Sequence, residues 1–135
     1  MGLILCARSG DDGIVVAVSG EVDVCTEGAL QQVLLRIMRE RGRLLLDLSG
    51  VSFIDCAGLR ALLTTRRRAE LCGGFMRLIA TSAAVRRIIE LTGTHETLAV
   101  ARDATSVRPI PFYQTEEFFL PNGPGVTRRQ KYDGA

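Results

Sequence analysis

The sequence is poor in the residues that build metal, redox and cofactor sites. Its 135 residues include one histidine, His95, one lysine, Lys131, and no tryptophan. The four cysteines form no C-x-x-C pair, and His95 has no second histidine beside it. Zinc sites and thioredoxin-like redox pairs need such groupings. We therefore expect neither a metal ion nor a cofactor.

Long apolar runs and a strong net charge are also missing. No run approaches the roughly 18 apolar residues that a membrane span needs, and residues 1–8 lack the basic start of an export signal. The net charge of +2 is too small to indicate a nucleic-acid surface. Four thiols without an export signal are typical of a reducing compartment. The sequence thus predicts a cytoplasmic protein with no membrane span and no nucleic acid among its partners.

Proline is confined to the last part of the chain. All four prolines follow residue 101, together with five of the seven aromatic residues. Proline interrupts helices and strand ladders, whereas aromatic side chains favour packing on another surface. We predict one domain over residues 1–100 and a Pro/aromatic-rich tail over residues 101–135. The aromatic half of the tail is expected to pack on the domain or a partner, and residues 127–135 to stay loose.

Within residues 1–100, strand and helix patterns alternate. Short apolar runs predict strands at residues 3–7, 14–18, 44–48, 75–79 and 98–100. Apolar residues at i, i+3, i+4 and i+7 predict helices at residues 26–42, 59–72 and 82–93. Turn chemistry at residues 9–13 closes the first two strands into a hairpin. The order predicts an α/β domain with a mixed, largely parallel central sheet, an N-terminal hairpin and helices packed on the sheet. The leucine run at residues 44–48 suits a strand buried on both faces.

Two stretches of the sequence resemble the signature of the STAS domain family, to which bacterial anti-sigma factor antagonists belong. Residues 20–23, Gly-Glu-Val-Asp, are similar to the family's turn before its first helix. Residues 47–59 resemble its strand ending in Phe-hydrophobic-Asp, followed by Ser-Ser/Ala-Gly-Leu at the start of the second helix. The glycine stop at Gly73-Gly74 and the helix at residues 82–93 also match. The resemblance covers about residues 3–100 and implies a single STAS-like domain.

The resemblance implies a function in transcription control. Antagonists of this family bind an anti-sigma factor, usually a serine kinase, and so free a sigma factor. The implied partner-binding residues are Asp23, Asp55, Cys56, Ala57, Gly58 and Leu59. In the family, the kinase phosphorylates the serine after the motif aspartate, and the phosphorylated protein dissociates from the kinase. Here Cys56 occupies that position, and neither Cys56 nor Ala57 has a hydroxyl. We expect the usual serine switch to be missing. Partner binding could then be regulated by phosphorylation at another residue, by oxidation of Cys56, or not at all, and the sequence does not decide among these.

The motif residues also have plain structural explanations. A carboxylate at Asp55 or Asp23 suits the start of a helix, where it accepts bonds from free N–H groups. For Asp55, we expect helix capping to contribute more energy than contact with a partner. For Asp23, bracing of the turn before the first helix and contact with a partner are equally open. Nucleophilic catalysis by Cys56 is disfavoured because His95 is the only histidine that could serve as its base.

Other functions remain alternatives to that of a regulator. STAS-like domains also serve as accessory subunits of transporters and signalling assemblies. A small nucleotide-binding protein or enzyme is the second alternative, although Gly73-Gly74 lacks the lysine and spacing of a phosphate-binding loop. The arginine clusters at residues 66–68 and 86–87 are typical of solvated helix faces, or of a surface that meets an acidic partner. We predict a protein-binding regulator, not an enzyme, and the sequence leaves its oligomeric state open.

Overall fold

The computed structural model describes residues 2–10, 13–41, 43–98, 114–120 and 127–131. The strands in this part of the chain are β1 (Leu3–Gly10), β2 (Gly13–Val22), β3 (Arg43–Ile54), β4 (Phe75–Thr81), β5 (Gln114–Leu120) and β6 (Thr127–Lys131). The helices are α1 (Glu27–Arg41), α2 (Cys56–Leu71) and α3 (Ala83–Thr92). The predicted single α/β domain is confirmed. The tip of the predicted hairpin at residues 11–12 and the predicted helix stop at residue 42 lie outside the described residues.

The described strands form one mixed sheet in the order β4-β3-β2-β1-β5-β6. β1 and β2 make the predicted antiparallel hairpin, in which Leu5 is paired with Val18. β2, β3 and β4 run parallel, with Val16 opposite Leu46 and Leu46 opposite Leu78. Parallel neighbours need a crossover on one face, and α1 and α2 supply these crossovers. The predicted mixed sheet with an N-terminal hairpin is confirmed. The expectation that it is largely parallel is wrong for the described strands, because β5 and β6 bring the antiparallel pairings to three of five.

The core lies on one face of this sheet. Alternate strand residues are buried and join the buried sides of the helices in one cluster, which includes Leu5, Val16, Leu34, Leu46, Leu62, Leu78 and Ile89. Leu45 and Asp47, between the buried leucines of β3, are only half-buried. The expectation that this strand is buried on both faces is therefore wrong. Successive right-handed crossovers that step in the same direction put α1 and α2 on the same side of the sheet.

The C-terminal segment contains strands that the sequence analysis did not predict. β5 pairs antiparallel with β1, and β6 pairs antiparallel with β5. The expectation that residues 127–135 stay loose is wrong for residues 127–131. Neither β5 nor β6 contains a proline, so the sequence of each is compatible with a strand. Phe118, opposite Leu5, is 5% exposed, so this aromatic residue packs on the domain as expected.

The sequence predicted a short strand at residues 98–100 and a domain boundary at residue 100. Leu98 is buried but lies in a turn, and residues 99–100 of the strand predicted there lie outside the described residues. The boundary between a domain at 1–100 and a tail at 101–135 stays a prediction. The described part of that tail adds its strands to the same sheet as the first hundred residues.

Candidate protein-docking site

The two motif segments meet where the parallel strands β2 and β3 end. Val22 and Ile54, the last residues of these strands, are neighbours in the register. The backbone N–H of Asp55 donates to the carbonyl oxygen of Val22 at 3.2 Å. A Cβ atom on Gly58 would lie 2.6 Å from the same oxygen, so the first turn of α2 presses directly on the end of β2. The loop after β2 and the start of α2 therefore form one continuous surface.

The loop after β2 is closed by reciprocal hydrogen bonds between Asp23 and Thr26. The carboxylate Oδ1 of Asp23 accepts from the backbone N–H of Cys25 at 2.9 Å and of Thr26 at 3.1 Å. The buried Thr26 hydroxyl accepts from the N–H of Asp23 at 3.0 Å and donates to the carbonyl of Glu21 at 2.9 Å. Such bonds fix the loop without help from a partner. Asp23 therefore braces this loop, which is one of the two roles left open for it, and its docking role stays a prediction.

Thr26 is a site residue that the sequence analysis missed. The signal was the Asp-x-x-Thr spacing of residues 23–26, because a short oxygen-bearing side chain at each end of such a turn can satisfy the backbone of the other. The sequence analysis took Thr26 only as the opening of a helix. The structure shows that its hydroxyl holds the shape of the loop after β2.

Replacing Thr26 with valine is expected to lower the free energy of unfolding by about 1–3 kcal/mol. The change keeps the volume but leaves the N–H of Asp23 and the carbonyl of Glu21 without the hydroxyl that satisfies them. Thr26→Ser, which keeps the hydroxyl, is the matched control. Urea unfolding followed by circular dichroism measures both variants. Equal midpoints for valine and serine would contradict the bracing role.

Asp55 caps the second helix. Its backbone is extended, with φ −110° and ψ −176°, and its carboxylate Oδ1 accepts from the N–H of Gly58 at 2.9 Å. The capping role expected of Asp55 is confirmed. Only Oδ1 of Asp23 and Oδ1 of Asp55 are used by these turns, and Oδ2 of each has no partner among the described residues. Each carboxylate therefore keeps one oxygen that can accept a bond from an incoming chain.

The remaining motif residues divide into exposed and buried ones. Cys56 is exposed and Ala57 half-buried, so both reach the surface. Gly58 and Leu59 are buried, and Leu59 belongs to the core. Gly58 and Leu59 therefore pack the first turn of α2 against the end of β2 and the core. Of the motif residues of α2, Cys56 and Ala57 present their side chains at the surface.

Two large apolar side chains at this end of the sheet were not predicted to be exposed. Val24, in the loop after β2, is 69% exposed, and Phe53, the last residue but one of β3, is 49% exposed. Val24 directly follows Asp23, and Phe53 lies two residues before Asp55. Exposed apolar groups gathered in one region mark surfaces that contact other proteins. The sequence analysis treated Phe53 only as part of a strand motif, because alternation around a bulged strand does not reveal which side chain faces water.

Other kinds of site find little support among the described residues. No group of three or more His, Cys, Asp or Glu side chains there is arranged to hold a metal ion. Cys25 and Cys56 are free and exposed. None of the described helices is both long enough and apolar enough to cross a membrane.

Comparisons with known proteins agree with this geometry. Residues 7–117 match the family model described as the STAS domain. The chain is 24% identical over 101 residues to the anti-sigma-B factor antagonist of Bacillus subtilis (strain 168), a match that covers 75% of this chain and 93% of that relative. It is 31% identical to an anti-sigma factor antagonist from Mycobacterium paratuberculosis whose crystal structure has a TM-score of 0.66, over 76% of this chain and 88% of that one.

A third similarity concerns the fold alone. The anti-sigma factor antagonist SpoIIAA in its unphosphorylated form has a TM-score of 0.61 to this structure at 17% identity. The match covers 76% of this chain and 91% of that one.

Proposed function

The chain belongs to the STAS domain family, and from this premise we propose that it acts as an anti-sigma factor antagonist. In this function it binds an anti-sigma factor in the cytoplasm, displaces that factor from a sigma factor, and so allows transcription. It works as a binding protein and not as an enzyme. The two relatives named as antagonists support the proposal, since each aligns with about three quarters of this chain.

We call residues 23–26 and residues 53–57 the docking loops. The observation that carries the proposal is that each of them exposes a large apolar side chain. Val24 and Phe53 provide apolar area at the end of the sheet where Cys56 opens α2. The loops that hold them are braced internally by Asp23 and Asp55, so little conformational freedom is lost when a partner binds. We call the exposed surface of Val24, Phe53, Cys56 and Ala57 the docking face. Val24 and Phe53 give this surface exposed apolar area, which favours contact with another polypeptide.

Release of the partner is expected to differ from that of serine-containing members of the family. The proposed partner is an anti-sigma factor of the serine-kinase type, for which the motif serine would be the substrate. Cys56 offers a thiol there, and the neighbouring Ala57 offers no hydroxyl. Binding is then governed by the concentrations of the two proteins and not by phosphorylation at this position.

The direct test is reconstitution of partner exchange. The full chain is used as bait in extracts of its native cell, and the captured anti-sigma factor is purified together with its sigma factor. Adding the chain to that complex is expected to release the sigma factor in proportion to the amount added, as measured by size-exclusion chromatography. Val24→Asp, which puts a charge on the docking face, is expected to release much less. The proposal fails if the captured partner is unrelated to sigma factors or if the sigma factor stays bound.

ATP is expected to leave the wild-type complex intact, whereas Cys56→Ser makes it sensitive to ATP. With a kinase as partner, the serine variant gains one phosphate at residue 56, detectable by mass spectrometry. The added charge of roughly −1.5 to −2 then weakens the contact. Cys25→Ser, a serine on the neighbouring exposed loop, is the matched control and should gain no phosphate. Phosphorylation of the wild-type chain with loss of the complex would show that another residue carries the switch.

A further inference from the structure

No described strand pairs with the outer edge of β4. β4 is the last strand of the described sheet on its side and pairs only with β3 among the described strands. Alternate backbone N–H and C=O groups of such an edge point away from the sheet and can pair with a further strand. Phe75 begins β4, whereas the docking face follows the last residues of β2 and β3. This edge therefore begins at the opposite end of the parallel strands.

A cleft of about 310 Å³ lies against this edge. It is lined by Arg66, Glu70, Phe75, Met76 and Arg77. The burial of β4 alternates, with Met76 turned into the core and Phe75 and Arg77 exposed on the face without helices. Arg66 and Glu70 belong to α2, on the helix side of the sheet. The cleft thus spans the edge from the helix layer to the open face, along the path that an added strand would follow.

The cleft carries a net positive charge, and contacts within the chain fix two of the arginines in and beside it. Arg66 is held by the Glu70 carboxylate at 3.2 Å and by the Glu96 carbonyl at 3.1 Å. The guanidinium of Arg43, the register neighbour of Phe75, lies 5.8 Å from the centre of its ring. Arg77 is exposed and has no charged partner among the described residues. Glu70 offsets one guanidinium, which leaves those of Arg43 and Arg77 to attract carboxylates.

We propose that the β4 edge binds an extended acidic segment of a second protein, which adds to the sheet as a further strand. Backbone pairing with β4 provides affinity for any extended chain, and side chains provide the selection. Carboxylates of the segment face Arg77 and Arg43, while an apolar side chain rests on Phe75, which is 40% exposed. A basic segment would meet uncompensated like charge. Because the cleft and the docking face lie apart, this partner and an anti-sigma factor can be bound together, and the inference does not depend on the proposed function.

The test uses the full chain, labelled with ¹⁵N, and a short capped peptide of alternating glutamate and threonine. Amide signals of residues 75–81 are expected to shift on titration, and the shifts should weaken as salt is added. Arg77→Gln is expected to raise the dissociation constant about fivefold, the size of one exposed ion pair. Arg87→Gln, an exposed arginine on α3, and Asp23→Ala, at the docking loop, are matched controls that should leave peptide binding unchanged.

Several results would overturn the inference. One is equal binding of the peptide in which lysine replaces glutamate. A second is that the amide shifts are confined to residues 23–25 and 53–57. A third is that no amide signal shifts at the highest peptide concentration. Sedimentation provides a separate check: if the wild-type chain forms a dimer that Arg77→Gln dissociates, the occupant of the edge is a second copy of this chain and not an acidic partner.

Discussion

Gly58→Ala is expected to lower the free energy of unfolding by about 1–2 kcal/mol. The added Cβ would lie 2.6 Å from the carbonyl oxygen of Val22, 2.7 Å from its Cγ1 and 3.0 Å from Cγ1 of Ile54. The closest of these atoms is backbone, so α2 itself has to move. Overpacking of this kind typically costs about 1–3 kcal/mol, and the gain in helix propensity from glycine to alanine offsets only part of it.

The chain supplies a matched control in Gly28. This glycine lies exposed in α1, and a Cβ there meets nothing within 4 Å. Gly28→Ala is expected to be neutral or to stabilise by a few tenths to about 1 kcal/mol. Thermal and urea unfolding of the two alanine variants measure the contrast. Equal stabilities would mean that α2 can shift freely relative to β2, and that the two docking loops are not fixed to each other.

The same contact connects stability with binding. The carbonyl of Val22 that Gly58 presses on also accepts the N–H of Asp55, the residue that caps α2. A displaced first turn therefore carries Cys56 away from the loop that holds Val24. We expect any Gly58→Ala protein that remains folded to bind its partner less tightly than the wild type, although Gly58 itself is buried and presents no side chain to the partner.

Local patterns in the sequence were sufficient for the elements whose determinants lie within a few residues. α3 begins after Ser82, whose hydroxyl accepts from the N–H of Val85, and ends at Gly93, with φ +66°. Serine and glycine specify such ends through their own chemistry. The hairpin of β1 and β2 was predictable for the same reason. The two motif segments meet because β2 and β3 are parallel neighbours, which end at the same edge of the sheet.

Features that depend on distant partners were not predictable in this way. β5 pairs with β1, which lies about a hundred residues earlier in the chain. Nothing in the sequence of β5 indicates which strand it pairs with. Leu45 of β3 continues an apolar run, yet only the side on which the helices pack decides that it is half-buried. Exposure of Val24 and Phe53 is likewise set by the ends of strands and not by residue type. The sequence therefore located the docking loops but not the apolar surface that they present.

Cys56→Glu is expected to weaken partner binding by at least about 30-fold, or roughly 2 kcal/mol, while the fold stays intact. Cys56 is the first residue of α2 and is exposed, so a longer side chain has room. A carboxylate in the first turn of a helix interacts favourably with the helix dipole, by about 0.3–1 kcal/mol. Stability should therefore be unchanged or slightly raised. Binding suffers because the docking face must then bury an unpaired charge between apolar groups.

Two controls separate charge from size and from position. Cys56→Gln has nearly the same shape as the glutamate variant without its charge, and it should retain most of the affinity. Cys72→Glu adds the same charge at the exposed C-terminal cap of α2, away from the docking face, and should bind like the wild type. Calorimetric titration with the captured anti-sigma factor measures all four proteins. If glutamate and glutamine weaken binding equally, size and not charge limits the contact, and the absence of a phosphorylatable serine at this position would have no bearing on release. If glutamate changes nothing, the partner binds elsewhere on the domain.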